Sequence, residues 1–197
     1  MTFKKVCVYA GSAPGASEAY AAATQELAEG IVARGAGVVY GGGSLGLMGV
    51  LADATLAAGG TVTGVIPRFL DDREVGHDGV TDLRVVETMH ERKMLMAELA
   101  DAFVVLPGGI GTLEEIVEML SWSQLGLHRK PMGLLDTDGF WQPLVDLLDH
   151  MTAEEFVALD HRQLLLSAPG PVELLDAMAD WEAPAVGRQW LRSEDET

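Results

Sequence analysis

The sequence is poor in cysteine and in positive charge. Cys7 is the single cysteine in 197 residues, so no disulfide can form within the chain, and its place in a predicted strand predicts a buried structural thiol. Thirteen Lys and Arg residues against 30 Asp and Glu residues give a formal net charge of −17. That charge repels nucleic acid and anionic membranes, so we expect neither as a partner. Any phosphate must therefore be bound locally, by backbone N–H groups and a few cations.

Long apolar runs and metal-ligand motifs are also missing. No stretch approaches the roughly 18 apolar residues of a membrane span, and the apolar run after MTFKK is too short for a signal-peptide core. We therefore expect a cytoplasmic protein. The five histidines show neither the H-E-x-x-H pattern nor Cys/His ligand spacing, so no metal site is predicted.

The order of predicted elements indicates an α/β fold. Short β-branched runs bounded by Gly or Pro alternate with longer helical patterns, which is typical of a Rossmann-like, doubly wound, mostly parallel sheet with helices on both faces. We predict a single domain over residues 1–181 and a C-terminal tail over 182–197. Strands are predicted at 4–10, 37–40, 61–66, 83–86, 102–106, 132–135 and 164–166, and the main helices at 17–35, 47–58, 112–125, 144–151 and 174–181.

A glycine-rich loop, GGGSLG at 41–46, follows the second predicted strand and formally matches G-x-G-x-x-G. A dinucleotide site is disfavoured, because the loop does not follow the first strand and no ribose-binding acid ends the third strand. Glycines that only permit positive φ and close packing are one alternative. We favour the other, in which Gly42, Gly43 and Ser44 form one wall of a mononucleotide site.

The sequence PGGIGTLEE at 107–115 follows the most apolar strand and carries the strongest functional signal. Its glycines allow the backbone to wrap an anion at a helix N-terminus, and Thr112 adds a hydroxyl donor. No Gly-Lys-Ser/Thr follows, so triphosphate hydrolysis is disfavoured. Thr112 and Glu115 also have the spacing of a capping box, so Glu115 has two open roles, a functional carboxylate or a helix cap worth about 1 kcal/mol.

The sequence MHERK at 89–93 places two cations early in a predicted helix, with Thr88 and Glu91 at capping spacing. Cations there oppose the helix dipole, at a cost of a few tenths of a kcal/mol. A solvated helix face is one interpretation. The other is that Arg92 and Lys93 supply the positive charge that a phosphorylated ribose requires.

Together, GGGSLGLMG at 41–49, MHERK and PGGIGTLEE resemble the LONELY GUY (LOG) family of cytokinin riboside 5′-monophosphate phosphoribohydrolases. The resemblance extends to about residue 180. It implies a Rossmann-like fold, a homodimer, no required cofactor, and release of adenine or an N6-prenylated adenine from its riboside monophosphate. It also implies that Arg92 and Glu115 are catalytic. The substrate-binding positions that it implies are Glu74, Arg92, Lys93, Gly108, Gly109, Ile110, Gly111, Thr112, Leu113, Glu114, Glu115 and Ser121.

The chemistry implied by the resemblance is cleavage of an N-glycosidic bond. A carboxylate near C1′ stabilises the oxocarbenium-like charge and activates water, a role we assign to Glu115. The loop 108–112 would hold the 5′-phosphate, and Arg92 the ribose phosphate. Two alternatives stay open, a non-catalytic carrier of a nucleotide or phosphorylated cofactor and, less favoured, a nicotinamide-dependent oxidoreductase. Family members have been labelled lysine decarboxylases, but the sequence has no recognisable pyridoxal-phosphate lysine context.

Overall fold

The computed structural model describes residues 2–71 and 76–184. Seven strands form one sheet, and every pairing between them is parallel, which confirms the predicted α/β class. The strands are β1 (Lys5–Tyr9), β2 (Gly37–Tyr40), β3 (Val62–Pro67), β4 (Asp82–Val86), β5 (Ala102–Val105), β6 (Met132–Leu135) and β7 (Leu165–Ala168). Their order in the sheet is β4-β3-β2-β1-β5-β6-β7.

The predicted helices are present, and several begin earlier than expected. Proline occupies the first turn of two of them, where its missing N–H is not needed, and these helices extend upstream to Gln142 and Pro171. Two single-turn helices and one 3₁₀ turn, at Thr137–Gly139, were not predicted. The helices are α1 (Glu18–Ala33), α2 (Gly46–Ala57), α3 (Arg68–Asp71), α4 (Met89–Leu99), α5 (Ile110–Gln124), α6 (Gln142–Ala153), α7 (Leu159–Arg162) and α8 (Pro171–Asp180).

Alternation along the central strand builds two cores. Val6 and Val8 of β1 face one core, which also contains apolar residues of α1, α2 and α8. Cys7 and Tyr9 face the other, which contains residues of α4, α5 and α6. Helices therefore cover both faces, as predicted, and Cys7 is a buried thiol without a disulfide partner.

The strand order reverses between β1 and β5, which are neighbours although seven helices and strands separate them in the chain. The connections that follow these two strands therefore diverge to opposite sides of the sheet and leave a crevice at the carboxyl ends of the strands. Open α/β sheets bind ligands in such a crevice.

Some predictions are not tested by the described residues. Glu74, predicted to bind substrate, lies outside them, as do residues 185–197 of the predicted tail. The division of the chain at residue 181 stays a prediction. No helix in the described part of the chain has the length and apolarity required to cross a bilayer.

Candidate active site

A cleft of about 500 Å³ opens at the strand-order reversal. The loops after β1, β2, β3 and β5 and the first turns of α4 and α5 form its walls. The sequence-predicted residues that line it are Gly43, Arg92, Gly109, Ile110, Gly111, Thr112, Glu114 and Glu115.

Other predicted site residues lie near the cleft without lining it in the described chain. Gly42 and Ser44 belong to the loop after β2, and Gly108 and Leu113 flank the lining part of the loop after β5. Ser121 is exposed farther along α5, where its hydroxyl donates a hydrogen bond to the Val117 carbonyl at 2.9 Å. The binding roles of these residues stay predictions.

One wall of the cleft is apolar and was not predicted. It lies at the carboxyl ends of β2 and β3 and includes the first residue of α4, and none of its side chains was named as a site residue from the sequence. The signal that could have found them is their position at the carboxyl ends of strands or in the elements that directly follow β2, β3 and β4. These residues, called here the apolar wall, are Leu45, Met48, Ile66, Leu70 and Met89.

The glycine loops interlock beneath the cleft. The Gly11 N–H donates to the Pro107 carbonyl at 3.2 Å, and the Gly11 carbonyl accepts from the Leu47 N–H at 3.1 Å. Gly46 has a φ of +59°, and a Cβ there would overlap the Ser12 carbonyl. Close packing of three loops thus fixes the floor of the cleft before any ligand binds.

The N-terminus of α5 opens into the cleft. The helix begins at Ile110, with Gly109 as N-cap and no side-chain cap. Backbone N–H groups of the first turn lack intrahelical partners, and the helix dipole adds partial positive charge there. This turn has the properties of an anion-binding site.

The early start of α5 overturns the capping interpretation of Glu115. Thr112 lies inside the first turn and is not the N-cap, so Glu115 lies a full turn beyond the position of a capping-box acid. The helix begins at Ile110 because the Gly109 backbone takes the extended cap conformation without a side-chain acceptor. The Glu115 carboxylate therefore has no helix-capping function, and its burial needs another explanation.

Capping at α4, by contrast, follows the predicted spacing. The Thr88 hydroxyl accepts a hydrogen bond from the Glu91 N–H at 3.1 Å, and the Glu91 carboxylate accepts from the Glu87 N–H at 2.8 Å. This cap fixes the start of the helix that carries Arg92 and Lys93.

Arg92 and Glu115 face each other at the bottom of the cleft. Nη2 of Arg92 lies 3.9 Å from Oε1 of Glu115, and both side chains are 10% exposed. The same Nη2 donates to the Gly41 carbonyl at 3.1 Å. Nε of Arg92 is buried and has no hydrogen-bond partner among the described residues. The guanidinium therefore keeps donor capacity for a polar ligand.

The pKa of Glu115 is raised from 4.5 to about 7, chiefly because burial disfavours the carboxylate. The Arg92 guanidinium acts in the opposite direction, and Glu114 adds to the rise. A carboxyl that titrates near neutrality is suited to proton transfer at that pH.

Lys93 pairs with two carboxylates of α5, one of which, Glu114, lines the cleft. Its ammonium forms ion pairs with the carboxylates of Glu114 and Glu118, the latter at 3.0 Å. Lys93 is not among the described residues that line the cleft. Its predicted role as a substrate ligand stays a prediction.

Sequence comparisons agree with these motifs. A family profile described as "Possible lysine decarboxylase" matches residues 48–178. The cytokinin riboside 5′-monophosphate phosphoribohydrolase LOG of Oryza sativa subsp. japonica is 49% identical over 173 residues, covering 88% of this chain and 72% of the relative. The phosphoribohydrolase LOG5 of Arabidopsis thaliana is 44% identical over 176 residues, covering 89% and 77%.

Solved structures share the fold. The molybdenum cofactor carrier protein of Chlamydomonas reinhardtii superimposes with a TM-score of 0.65 at 23% identity, covering 89% of this chain and 94% of the carrier. The molybdenum cofactor binding protein of Rippkaea orientalis gives a TM-score of 0.64 at 21% identity, covering 91% and 99%. At these identities the likeness concerns the fold alone.

The raised pKa of Glu115 predicts that ionisation of this carboxyl lowers the stability of the folded chain. Its pKa is 4.5 when unperturbed and about 7 in the folded chain, so the proton binds the folded state more tightly. The stability that the protonated carboxyl contributes is full below pH 4.5 and is lost as the pH rises through about 7. Glu115→Gln removes this dependence. The free energy of unfolding of the variant, relative to wild type, should therefore increase by about 3 kcal/mol between pH 4.5 and about 8.

Urea unfolding of both proteins across this pH range measures the difference. A difference that stays constant with pH would show that burial does not perturb Glu115.

Proposed function

The chain belongs to the family of the cytokinin riboside 5′-monophosphate phosphoribohydrolases, and from that premise we propose that it hydrolyses the N-glycosidic bond of adenosine 5′-monophosphates, plain or N6-substituted. The products are the free base and ribose 5-phosphate. The observation that carries the proposal is the buried pair of Arg92 and Glu115 at the bottom of a cleft. Glu115 is buried at a cost to stability, as expected for a group retained for chemistry.

The substrate phosphate is proposed to bind at the first turn of α5. Ile110, Gly111 and Thr112 line the cleft there, and their N–H groups precede the hydrogen-bonded part of the helix. The net charge of −17 means that the chain cannot attract a phosphate through a broad positive field. A local anion site at a helix N-terminus binds the phosphate instead.

The base is proposed to lie against the apolar wall. Aliphatic and thioether side chains fill that side of the cleft, and Met48 and Met89 provide adaptable apolar contacts. An apolar surface accepts a planar purine and tolerates an apolar N6 substituent. A pocket of this kind discriminates weakly between such bases, so we propose activity on both.

Glu115 and Arg92 are proposed to act at C1′ of the ribose. As the bond from C1′ to the base nitrogen breaks, positive charge develops on the sugar, and the Glu115 carboxylate stabilises it. Water adds its oxygen to C1′ as Glu115 accepts one water proton, and Glu115 then passes that proton, directly or through water, to the departing base, which regenerates the carboxylate. Arg92 uses its free donor capacity to hold the ribose phosphate in this geometry. One water is consumed for each base released.

Lysine decarboxylation, suggested by the family profile's description, does not fit the cleft. Pyridoxal-phosphate enzymes bind their cofactor as a Schiff base with lysine, and no lysine is among the described residues that line the cleft. Lys93, next to Arg92, is engaged with two carboxylates.

The proposed reaction is tested by incubating the protein, without added cofactor, with AMP, N6-isopentenyladenosine 5′-monophosphate and the corresponding riboside. We expect equal amounts of free base and ribose 5-phosphate from both monophosphates. The riboside should show a kcat/KM lower by about 100-fold or more, because phosphate binding no longer contributes to reaching the transition state. Chromatography of base and sugar phosphate measures both.

Glu115→Gln is the control. This variant should bind the monophosphates and release no base from them. Tight binding of monophosphate by wild type without product release would favour a carrier. Equal turnover of riboside and monophosphate would contradict the phosphate site.

Gly41→Ala tests the placement of the Arg92 guanidinium. A Cβ at Gly41 would overlap Nη2 of Arg92 and lie 3.1 Å from its Cζ, so the guanidinium must move. The side chain is flexible at that end, so we expect stability to change by less than about 1 kcal/mol and kcat/KM to fall by about 100-fold. Gly30→Ala in α1, remote from the cleft, is the control for the glycine substitution itself. Near-wild-type turnover of the Gly41 variant would contradict the proposed role of Arg92.

We also propose that the chain forms a homodimer through exposed apolar residues of α4, α5 and the turn that follows. Met96 of α4 and Leu120 of α5 are buried in the core, whereas other apolar residues of these helices and of the turn after α5 are exposed. Val117, Ser121 and Leu125 are spaced by four residues, so they share one side of α5. The exposed set, called here the α4–α5 apolar face, is Met94, Val117, Leu125 and Leu127.

Leu125→Glu is expected to convert the dimer to a monomer, because it places a charge in the α4–α5 apolar face. Leu159→Glu is the matched control, since Leu125 and Leu159 are both 66% exposed and Leu159 lies on α7. Light scattering after size exclusion measures the masses. A monomeric wild type, or equal masses for all three proteins, would contradict this interface.

A further inference from the structure

Lys93 is buried, and its contacts lie within the protein. Its side chain is 7% exposed, and its ammonium bridges Glu114 and Glu118 of α5. Burial acts to lower the pKa of Lys93, but the hydrogen bonds that the ammonium donates to the two carboxylates, together with their negative charges, outweigh it and raise the pKa. The ammonium is therefore charged at neutral pH, and its charge is matched by protein groups.

We propose that Lys93 is a positioning residue for the hydrolysis proposed above: it fastens α4 to α5 so that Arg92 and Glu115 face each other, and it does not bind the substrate.

The first support is the geometry of the two helices. Arg92 and Lys93 are neighbours on α4, and Glu114 and Glu115 are neighbours on α5. At 3.9 Å, the contact between Arg92 and Glu115 is too long for a hydrogen bond, so it holds the helices weakly. The Lys93 ion pairs are closer, and they join a buried ammonium to the half-exposed Glu114 and the largely buried Glu118. They therefore set the spacing across which the reactive pair acts.

The second support is the electrostatic environment of Glu115. Arg92 of α4 faces it, and the charge of the neighbouring Lys93 also acts on it; Glu114 and Glu118 flank it on α5, and Cys7 and Tyr9 lie behind it on β1. Among the charged neighbours, Arg92 and Lys93 lower the pKa of Glu115, whereas Glu114 and Glu118 raise it. Lys93 thus limits the rise in the Glu115 pKa that burial and the two nearby carboxylates would otherwise produce.

Lys93→Met separates positioning from substrate binding. If Lys93 positions, KM and the dissociation constant of ribose 5-phosphate should stay within about threefold of wild type, while kcat at neutral pH falls by about tenfold or more. The acidic limb of the kcat profile should move to higher pH, because Glu115 then requires a higher pH to ionise. A tenfold rise in the ribose 5-phosphate dissociation constant with an unmoved acidic limb would overturn the proposal.

Two further variants complete the test. Lys130→Met removes a different lysine that binds α4, through a hydrogen bond to the Ala97 carbonyl at 2.6 Å, and should leave the acidic limb in place. Glu118→Gln removes a carboxylate that raises the pKa of Glu115, so the limb should move to lower pH. Equal shifts for Lys93→Met and Lys130→Met would indicate general loosening of α4 and overturn the proposal. If Lys93→Met does not fold, Glu118→Gln takes its place in the test. An acidic limb of the kcat profile that stays at the wild-type pH in Glu118→Gln then overturns the proposal.

A readout without turnover distinguishes failure of this inference from failure of the proposed function. Carboxyl-carbon NMR follows the titration of Glu115 in wild type and in Lys93→Met, with Glu115→Gln identifying the resonance. An upward shift of the Glu115 pKa in Lys93→Met supports the proposed electrostatic effect of Lys93 on Glu115, even if no substrate is hydrolysed. An unchanged titration overturns it even if wild type releases base.

Discussion

Burial of the Glu115 carboxylate is the constraint on which the rest of the site depends. Desolvation raises its pKa to about 7, so the folded chain loses stability to keep an ionisable oxygen at the bottom of the cleft. That cost is tolerable because Arg92 lies opposite and Lys93 lies one residue further along the same helix. Two adjacent cations on α4 therefore have different tasks, one facing the cleft and one joining the helices.

The topology explains why these groups meet. The strand order reverses between β1 and β5, so the loops after both strands reach the crevice from opposite sides. The loop after β5 turns into α5 and delivers Glu115, whereas α4 approaches after the edge strand β4 and delivers Arg92. Gly41, at the end of β2, receives the Arg92 guanidinium at its carbonyl, in space that a Cβ would occupy. Glycine here makes room for a charged side chain, and no special φ is involved.

Sequence reasoning reached the strands, the glycine loops and the Arg92 and Glu115 candidates because each has a local signal. The apolar run 102–106 ending at Pro107 and the Thr88 cap are examples, and both are present in the structure. It failed where the answer depends on a helix start or on rotation about a helix axis. The spacing of Thr112 and Glu115 fits a capping box equally well, and only the start of α5 at Ile110 excludes it.

Rotation about a helix axis explains another limit of the sequence. Neighbouring residues on a helix are about 100° apart, so Arg92 and Lys93 cannot face the same way, and sequence alone does not say which of them faces the cleft. The apolar wall was missed for a related reason, since apolar residues beside a cleft have the same pattern as core residues.

The same architecture in two cofactor-binding proteins at 23% and 21% identity shows that the fold does not choose between holding a ligand and cleaving it. Hydrolysis has one further requirement. It needs a carboxylate that is desolvated enough to titrate near neutrality and that lies close to a fixed cation. The chain meets it with five residues on two helices, because the carboxylates beside Glu115 raise its pKa and the ion pairs of Lys93 hold those carboxylates in place. In the proposed mechanism, turnover therefore depends on the register of α4 against α5 as well as on the glycine loops.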